Sequence, residues 1–477
     1  MSDVKNILGL LTAIIICIKK VSPTSGFDFE SSEFSKIANT PAFVDKTLFI
    51  KAIIENNETS LITAPPGFGK STNMNMLKTF LEIEVDDNGA PKTQVDYFKH
   101  QVKDTRNYRL FYDNVLKIAE DTKIMQDLGR TPVLSVSFKC NRNITSFDDA
   151  LEFIKEVVHN CYKQYRYLER SDKLGVDQKQ YIETWCDDKN YHMFGKHRIA
   201  TGLRELSEFL YRHFNDRTVF VLIDDHDSVF KRAMFHVTDD DQLDDIVRLT
   251  VSLMNSLLKR NGKHVHGGLV AGVSDIPVFG SSLSEKGSSD AFIKYRFLDD
   301  HPFVDFFGLL KDEVDGLFVY PELKLGENVV NKAKAMYGGY KSKKGTEVFN
   351  LYSILNFLKT GEVKNFWKSF NSIPNLNEVI EVSAILKGME KMVTGEPINI
   401  QVLNKLTVDD IVDLRNLQTD PQSQAVAVAI KYFSFLLEEG YLTYAFTQED
   451  TENQINENSA VKIPNNEIKE IFIQALT

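Results

Sequence analysis

Ser60-Leu61-Ile62-Thr63-Ala64-Pro65-Pro66-Gly67-Phe68-Gly69-Lys70-Ser71-Thr72 opens on a short buried strand, bends through a glycine-containing loop and runs into a helical stretch over residues 72–82. That order is built for anion binding. Gly67 and Gly69 let backbone amides curl around a phosphate, the helix N-terminus adds its dipole, Lys70 neutralises charge and Ser71 offers a hydroxyl to magnesium. Ala64 stands where such loops usually begin with glycine. Ala64, Pro65, Pro66, Gly67, Phe68, Gly69, Lys70, Ser71 and Thr72 are therefore the candidate nucleotide-binding residues. A lone Gly-Lys-Ser match is often a plain turn, but strand, loop and helix in succession favour a nucleotide.

A phosphate loop requires a second strand ending in a carboxylate that holds the metal. Val219-Phe220-Val221-Leu222-Ile223 supplies the apolar run, and Asp224 and Asp225 follow it. Asp224, with Ser71, is the candidate Mg2+ residue, acting through a bound water. Asp225 is the candidate catalytic residue, at the place where P-loop ATPases of the additional-strand type keep a glutamate that polarises the attacking water. Aspartate is one methylene shorter, so two readings stay open: a base, or a retired carboxylate. Residues 133–138 and 269–273 are two further β-branched runs, giving four core strands of a parallel α/β sheet with helices on both faces. Ser274 and Asp275 follow the last of these and fall at the same sheet edge as the loop, as γ-phosphate sensors or as turn caps. Residues 239–260 read as an amphipathic helix capped by Thr238, with acids in its first turn and Lys259 and Arg260 in its last.

With these motifs placed, the chain resembles the AAA-ATPase-like family of P-loop NTPases, whose bacterial members are often fused to a PD-(D/E)XK nuclease and which also occurs in arthropods. The resemblance starts at Phe43-Val44-Asp45-Lys46-Thr47-Leu48-Phe49-Ile50 and continues through the loop to Leu77, with Pro65, Pro66 and Gly67 as departures. Ile223-Asp224-Asp225-His226-Asp227 is similar to the family's Ile-Asp-Glu-Tyr-Asp, and Ala271-Gly272-Val273-Ser274 to its Thr-Gly-Val-Ser. Further on it covers Phe307-Gly308-Leu309, Tyr337-Gly338-Gly339-Tyr340, Phe349-Asn350-Leu351-Tyr352, Phe366-Trp367, Glu439-Gly440-Tyr441-Leu442-Thr443 and Lys462-Ile463-Pro464-Asn465-Asn466-Glu467-Ile468. The resemblance implies ATP and Mg2+ as cofactors, and a Walker A and Walker B pair in the segments above. The glutamate missing at Asp225 bears on hydrolysis more than on binding. No carboxylate-carboxylate-lysine nuclease triad is rebuilt, so nuclease activity is not expected.

Subtracting 67 acidic from 56 basic residues leaves a net charge of −11 over 477 residues, which disfavours general nucleic-acid binding. With 43% hydrophobic and 26% charged residues the chain has an ordinary globular balance and length for several domains. Four cysteines (Cys17, Cys140, Cys161, Cys186) without a Cys-x-x-Cys pair exclude a disulfide scaffold and a zinc ribbon. Lys5 precedes an apolar run over residues 7–18 that is too short for a stable membrane span but fits a signal peptide. The expected address is secreted; the alternative is an N-terminal anchor in the endoplasmic reticulum membrane. Asn57-Glu58-Thr59 and Asn143-Ile144-Thr145 match the glycosylation sequon and are compatible with secretion.

The expected organisation is a signal peptide over 1–25, a P-loop ATPase-like domain over 26–300, a helical lid-like region over 301–395 and a helical, winged-helix-like end over 396–477. Residues 280–290 form a Ser/Gly-rich loop, and residues 448–459 a polar loop before Val461. Arg296 reads as a lid arginine or, more simply, as a surface residue beside Asp299 and Asp300. Cys186, Asp187, Asp188, His192 and His197 have metal-binding side chains without a metal-binding spacing, in what reads as a charged loop. His226 either tunes Asp225 or stacks as a neutral ring, and Trp185 and Trp367 read as core aromatics.

Three functions compete. The first is an ATP-hydrolysing switch in which the helical C-terminal half moves as the γ-phosphate is lost. The second is a secreted interaction or effector protein that keeps a degenerate, non-hydrolysing P-loop and acts on an unknown protein partner. A nucleic-acid enzyme ranks last, given the charge and the missing nuclease.

Overall fold

Strand β1, Ser60–Thr63, is buried along its whole length because both its faces are covered. It pairs in parallel with β4 (Val265–Gly272) on one side and β5 (Ile293–Tyr295) on the other. Beyond β4 lie β3 (Val219–Asp224) and β2 (Val133–Ser137), giving a five-stranded parallel sheet in the order β2-β3-β4-β1-β5. One strand, β4, thus stands between the strand that feeds the glycine loop and the strand that ends in Asp224. The fifth strand is an addition to the four expected. The computed structural model describes residues 31–40, 42–56, 58–276, 293–319, 325–370, 382–415, 425–445 and 458–476. The signal-peptide reading and the Ser/Gly-rich loop at 280–290 lie outside the described residues.

Helices cover the sheet. Lys70–Leu81 packs on β2, β3 and β4, Phe147–Gln164 on β2 and Lys196–His213 on β3. Ser146 caps Phe147–Gln164 by accepting from the Asp149 amide, with Asp148 and Asp149 in the first turn facing the positive end of the dipole. The next amphipathic helix, Asp240–Met254, is capped by Asp239, whose carboxylate accepts from the Asp241 and Gln242 amides. Thr238, the expected cap, lies one residue too early. The helix also stops short of Lys259 and Arg260, because Asn255–Lys259 widens into a π-helical turn.

The C-terminal half carries more strand than its helical pattern announces. β6 (Leu309–Leu310), β7 (Tyr340–Lys341) and β8 (Glu347–Phe349) form an antiparallel sheet in the order β6-β8-β7, backed by helices Lys311–Phe318, Glu327–Tyr337 and Leu351–Thr360. Their apolar faces make a second core around Val314, Phe318, Tyr337, Ile354 and Phe357. The last segment places β9 (Ile398–Gln401), β10 (Thr443–Tyr444) and β11 (Asn458–Lys462) beside helices Ser383–Val393, Val408–Arg415, Ala425–Glu438 and Asn466–Leu476. Ser459, expected in a polar loop, is inside β11, while residues 446–457 lie outside the described residues. Trp367, Met389, Phe433, Tyr441, Ile468 and Phe472 belong to the same continuous core as β1. The C-terminal module is therefore packed on the nucleotide-loop half by apolar contact.

Cys140, Cys161 and Cys186 are buried free thiols, and burial pushes Cys161 and Cys186 up to about 12. Among the described residues no helix is long and apolar enough to cross a membrane. Cys186 ends a helix, Val176–Cys186, where a charged loop was expected, and Asp188 binds His159 and Lys163. His192 lies 3.6 Å from Glu152, so Asp188 and His192 are engaged with other partners.

Candidate functional site

The loop after β1 turns because two glycines sit in the left-handed region, Gly67 at φ +82° and Gly69 at φ +86°. Space makes the same demand at Gly67, where an added Cβ would lie 2.9 Å from the Cβ of Tyr352. Each carbonyl from Ala64 to Phe68 meets a donor, two of them from the loop's own lysine and three from the C-terminal half. Lys70 Nζ donates to the carbonyls of Ala64 (2.6 Å) and Pro65 (3.0 Å), and Trp367 Nε1 donates to that of Pro66 (3.1 Å). The amide of Tyr352 donates to Gly67 O (3.0 Å), and that of Gly308 to Phe68 O (2.9 Å). Among the described residues the amides of Gly67, Phe68, Gly69, Lys70, Ser71 and Thr72 donate to no protein acceptor. A row of unpaired amides at a helix N-terminus is a concave array of positive dipoles, which an anion satisfies.

Lys70 and the carboxylates at the end of β3 share this corner. Burial lowers the Lys70 ammonium below its ordinary value, while Asp225, Asp224 and Asp227 pull it back up. Burial raises Asp224, and Ser71, whose side chain interacts with the carboxylate, and Lys70 oppose that rise. Asp225 is pushed up to about 6, by burial first and by the neighbouring Asp224 charge second. Its backbone is left-handed, φ +53°, a conformation aspartate tolerates better than longer side chains do. Lys70, Ser71, Asp224 and Asp225 are thus brought together.

The remaining candidates divide. Asp227, not singled out beforehand, is buried and accepts from the amides of Val273 (3.1 Å) and Ser274 (2.9 Å), tying the ends of β3 and β4 together. His226 is fully buried against Gly272, where an added Cβ would lie 2.7 Å from its Cδ2. Burial lowers its pKa, so the ring is neutral. Asp275 forms a buried ion pair with Lys294, and Ser274 Oγ donates to Glu438 Oε2 (3.1 Å). Arg296 is not a surface residue: it donates to Leu403 O (3.0 Å) and pairs with Glu438 at 2.5 Å. Trp367 is buried, as a core aromatic should be, but its indole N–H also holds the loop.

Two features of the site come from the C-terminal half, from segments already noted for their resemblance, though nothing in their sequence says which loop residues they touch. Asn350, Leu351 and Tyr352 press on Gly67 and Gly69, and Gly440 lies so close to Pro65 that a Cβ there would meet it at 2.5 Å. The cover is anchored by Glu467, which accepts from the amides of Phe366 (2.8 Å) and Trp367 (2.9 Å) and from Ser353 Oγ (2.9 Å). Burial pushes Glu467 up to about 7 from an ordinary 4.5. A folded-state pKa raised in this way contributes stability below the ordinary value that is lost as pH rises through about 7. Urea unfolding should therefore show wild type losing about 2 kcal/mol relative to Glu467→Gln between pH 5 and pH 8. Parallel pH profiles for the two proteins would refute a titrating anchor.

Beside the loop, Phe34, Phe43, Phe68, Gly69, Thr72 and Met76 line part of a largely apolar cavity of about 100 Å³. Gly69 and Thr72 in its lining belong to the row of free amides.

A family model described as predicted AAA-ATPase, AAA-ATPase-like, matches residues 30–280, more than half of the chain. No curated protein matches it.

Proposed function

Because the chain belongs to the AAA-ATPase-like family, we propose that it binds ATP with Mg2+ at residues 64–72 and hydrolyses it slowly, using the nucleotide state to reposition its C-terminal half. The observation that carries this reading is the row of amides from Gly67 to Thr72 beside Lys70, unpaired among the described residues, with every carbonyl from Ala64 to Phe68 already bonded to a donor. Phosphates would lie along those amides, with Lys70 turning from the Ala64 and Pro65 carbonyls to the terminal oxygens. The apolar cavity next to Gly69 and Thr72 would take the base.

Ser71 and Asp224 are hard oxygen donors that interact with each other, a set that suits magnesium retained through waters and phosphate oxygens. Bound there, the ion would neutralise phosphate charge. In the hydrolytic step Asp225 takes a proton from water as the water oxygen bonds to the γ-phosphorus, and the bond from that phosphorus to the bridging oxygen of ADP breaks. Asp225 must be ionised to do this. With its carboxyl pushed up to about 6, phosphate release should fall tenfold per pH unit below about 6 and level off above it. Release that stays flat from pH 5 to pH 8 would remove Asp225 as the base.

Calorimetric titration with ATP and Mg2+, followed by phosphate release on the same sample, tests both halves of the proposal. Binding with turnover supports the switch. Binding without turnover supports the non-hydrolysing alternative, in which the P-loop is a ligand-gated scaffold for a protein partner. Secretion by a signal peptide over residues 1–25 remains part of the proposal, and N-terminal sequencing of the exported chain would test it.

A further inference from the structure

Helix Ala425–Glu438 ends in two carboxylates, Glu438 and Glu439, with no basic residue in its last turn. Negative charge at a helix C-terminus opposes the helix dipole, so the pair must be held by cations from elsewhere. Both cations come from the nucleotide-loop half. Lys231, on the helix Ser228–Ala233 that follows β3, binds Glu439 at 2.6 Å, and Arg296, just past β5, binds Glu438 at 2.5 Å. Neither pair is complete: Glu439 Oε1 and Arg296 Nε are buried and have no hydrogen-bond partner among the described residues. Gly440, next in the chain, lies against Pro65 of the loop.

Lys231 is the second cation of the phosphate corner, beside Lys70. Burial works against its ammonium, and Glu439, Asp227 and Asp225 together hold it above its ordinary value. Its backbone amide donates to Asp227 O (2.9 Å), and its partner Glu439 precedes the Gly440 that lies against Pro65, which places Lys231 in the neighbourhood of the loop and Lys70. A phosphate lying on the loop amides would bring negative charge into that neighbourhood and compete with Glu439 for Lys231.

We propose that Lys231 receives the terminal phosphate of the nucleotide, and that Glu438 and Glu439 form an internal anion that occupies Lys231 and Arg296 until a triphosphate displaces it. The inference rests on the phosphate-loop reading and names its regulation. Displacement leaves two carboxylates facing their own helix dipole, so the helix Ala425–Glu438 leaves the loop rather than repacking in place. Coupling is reciprocal: whatever ATP does to the clamp, loosening the clamp does to ATP.

The test compares ATP and ADP affinities, each with Mg2+, in the full chain, Glu439→Gln and Lys231→Gln. Glutamine keeps the volume and the hydrogen bond at 439 and removes the charge. ATP affinity should rise about tenfold in Glu439→Gln with ADP within twofold of wild type, a coupling of ordinary size. Lys231→Gln should lower ATP affinity about tenfold and leave ADP unchanged. Hydrogen exchange on wild type gives a second reading that needs no variant: amides of 425–438 should exchange faster with ATP than with ADP. Unchanged ATP-to-ADP ratios in both variants, or equal exchange with the two nucleotides, would overturn the clamp while leaving the phosphate loop standing. Failure of wild type and both variants to bind either nucleotide would overturn the phosphate-loop reading and the clamp with it.

Discussion

Replacing Lys70 should cost at least about 100-fold in ATP affinity, or roughly 3 kcal/mol, while leaving the chain folded. The ammonium is buried, lowered by desolvation, and among the described residues its hydrogen bonds go to the carbonyls of Ala64 and Pro65 alone. Burying a cation without a close counter-ion costs stability. It also sits beside three carboxylates, Asp224, Asp225 and Asp227, whose mutual repulsion it relieves. For the empty protein these effects oppose one another, and Lys70→Met, which keeps the aliphatic stem, should change the melting free energy by no more than about 1 kcal/mol. With ATP present, by contrast, the wild type should gain thermal stability and Lys70→Met should not. The paired measurement separates a ligand-binding lysine from a structural one. A Lys70→Met chain that still gains stability with ATP would show that the loop amides alone carry the phosphate, and one that fails to fold would make Lys70 a structural residue.

The same contrast explains what could be read from the amino-acid order. β3 was legible because a strand covered on both faces reads as an apolar run, which ends here in the two aspartates, and β1, with only Leu61 and Ile62 apolar between Ser60 and Thr63, was legible because it runs straight into the glycine loop. β5 was not, because Ile293-Lys294-Tyr295 is an edge strand of three residues with a charged centre that pairs with Asp275. Arg296 looked like surface beside Asp299 and Asp300 because its partner, Glu438, is remote in sequence. Trp367 had the composition of a core residue and is one, yet the direction of its N–H toward Pro66 depends on where Glu467 fixes the backbone of residues 366–367. Local patterns write strands and loops; contacts between halves of the chain are written only in complementary charges and shapes, which have no period. The Glu438 and Glu439 carboxylates illustrate this, since on a helical pattern alone they look like an ordinary polar end.

The position of Asp225 leads to the second large effect: Asp225→Glu should raise phosphate release by about 100-fold, and Asp225→Asn should abolish it. A general base contributes about 100- to 10,000-fold, and misplacing a reacting group by about 1 Å forfeits about 100-fold. Aspartate falls short of a glutamate by one methylene, a reach of that size. The substitution has a counterweight, because residue 225 is left-handed at φ +53° and an extra methylene is less at ease there, at a cost of about 1 kcal/mol. It also changes the carboxylate's distance from Asp224, whose charge is the second cause of the rise to about 6. The acid limb of the rate profile should therefore shift along with the gain in rate, because the titrating carboxyl has a different ordinary value and a different distance from Asp224. Rate and limb moving together would identify residue 225 as the group that takes the proton. A gain in rate with the limb unmoved would assign the titration to another group. No gain at all, with ATP still bound, would mean that the water is positioned elsewhere and that the chain works as a binding switch in which Asp225 only balances the charge of Lys70.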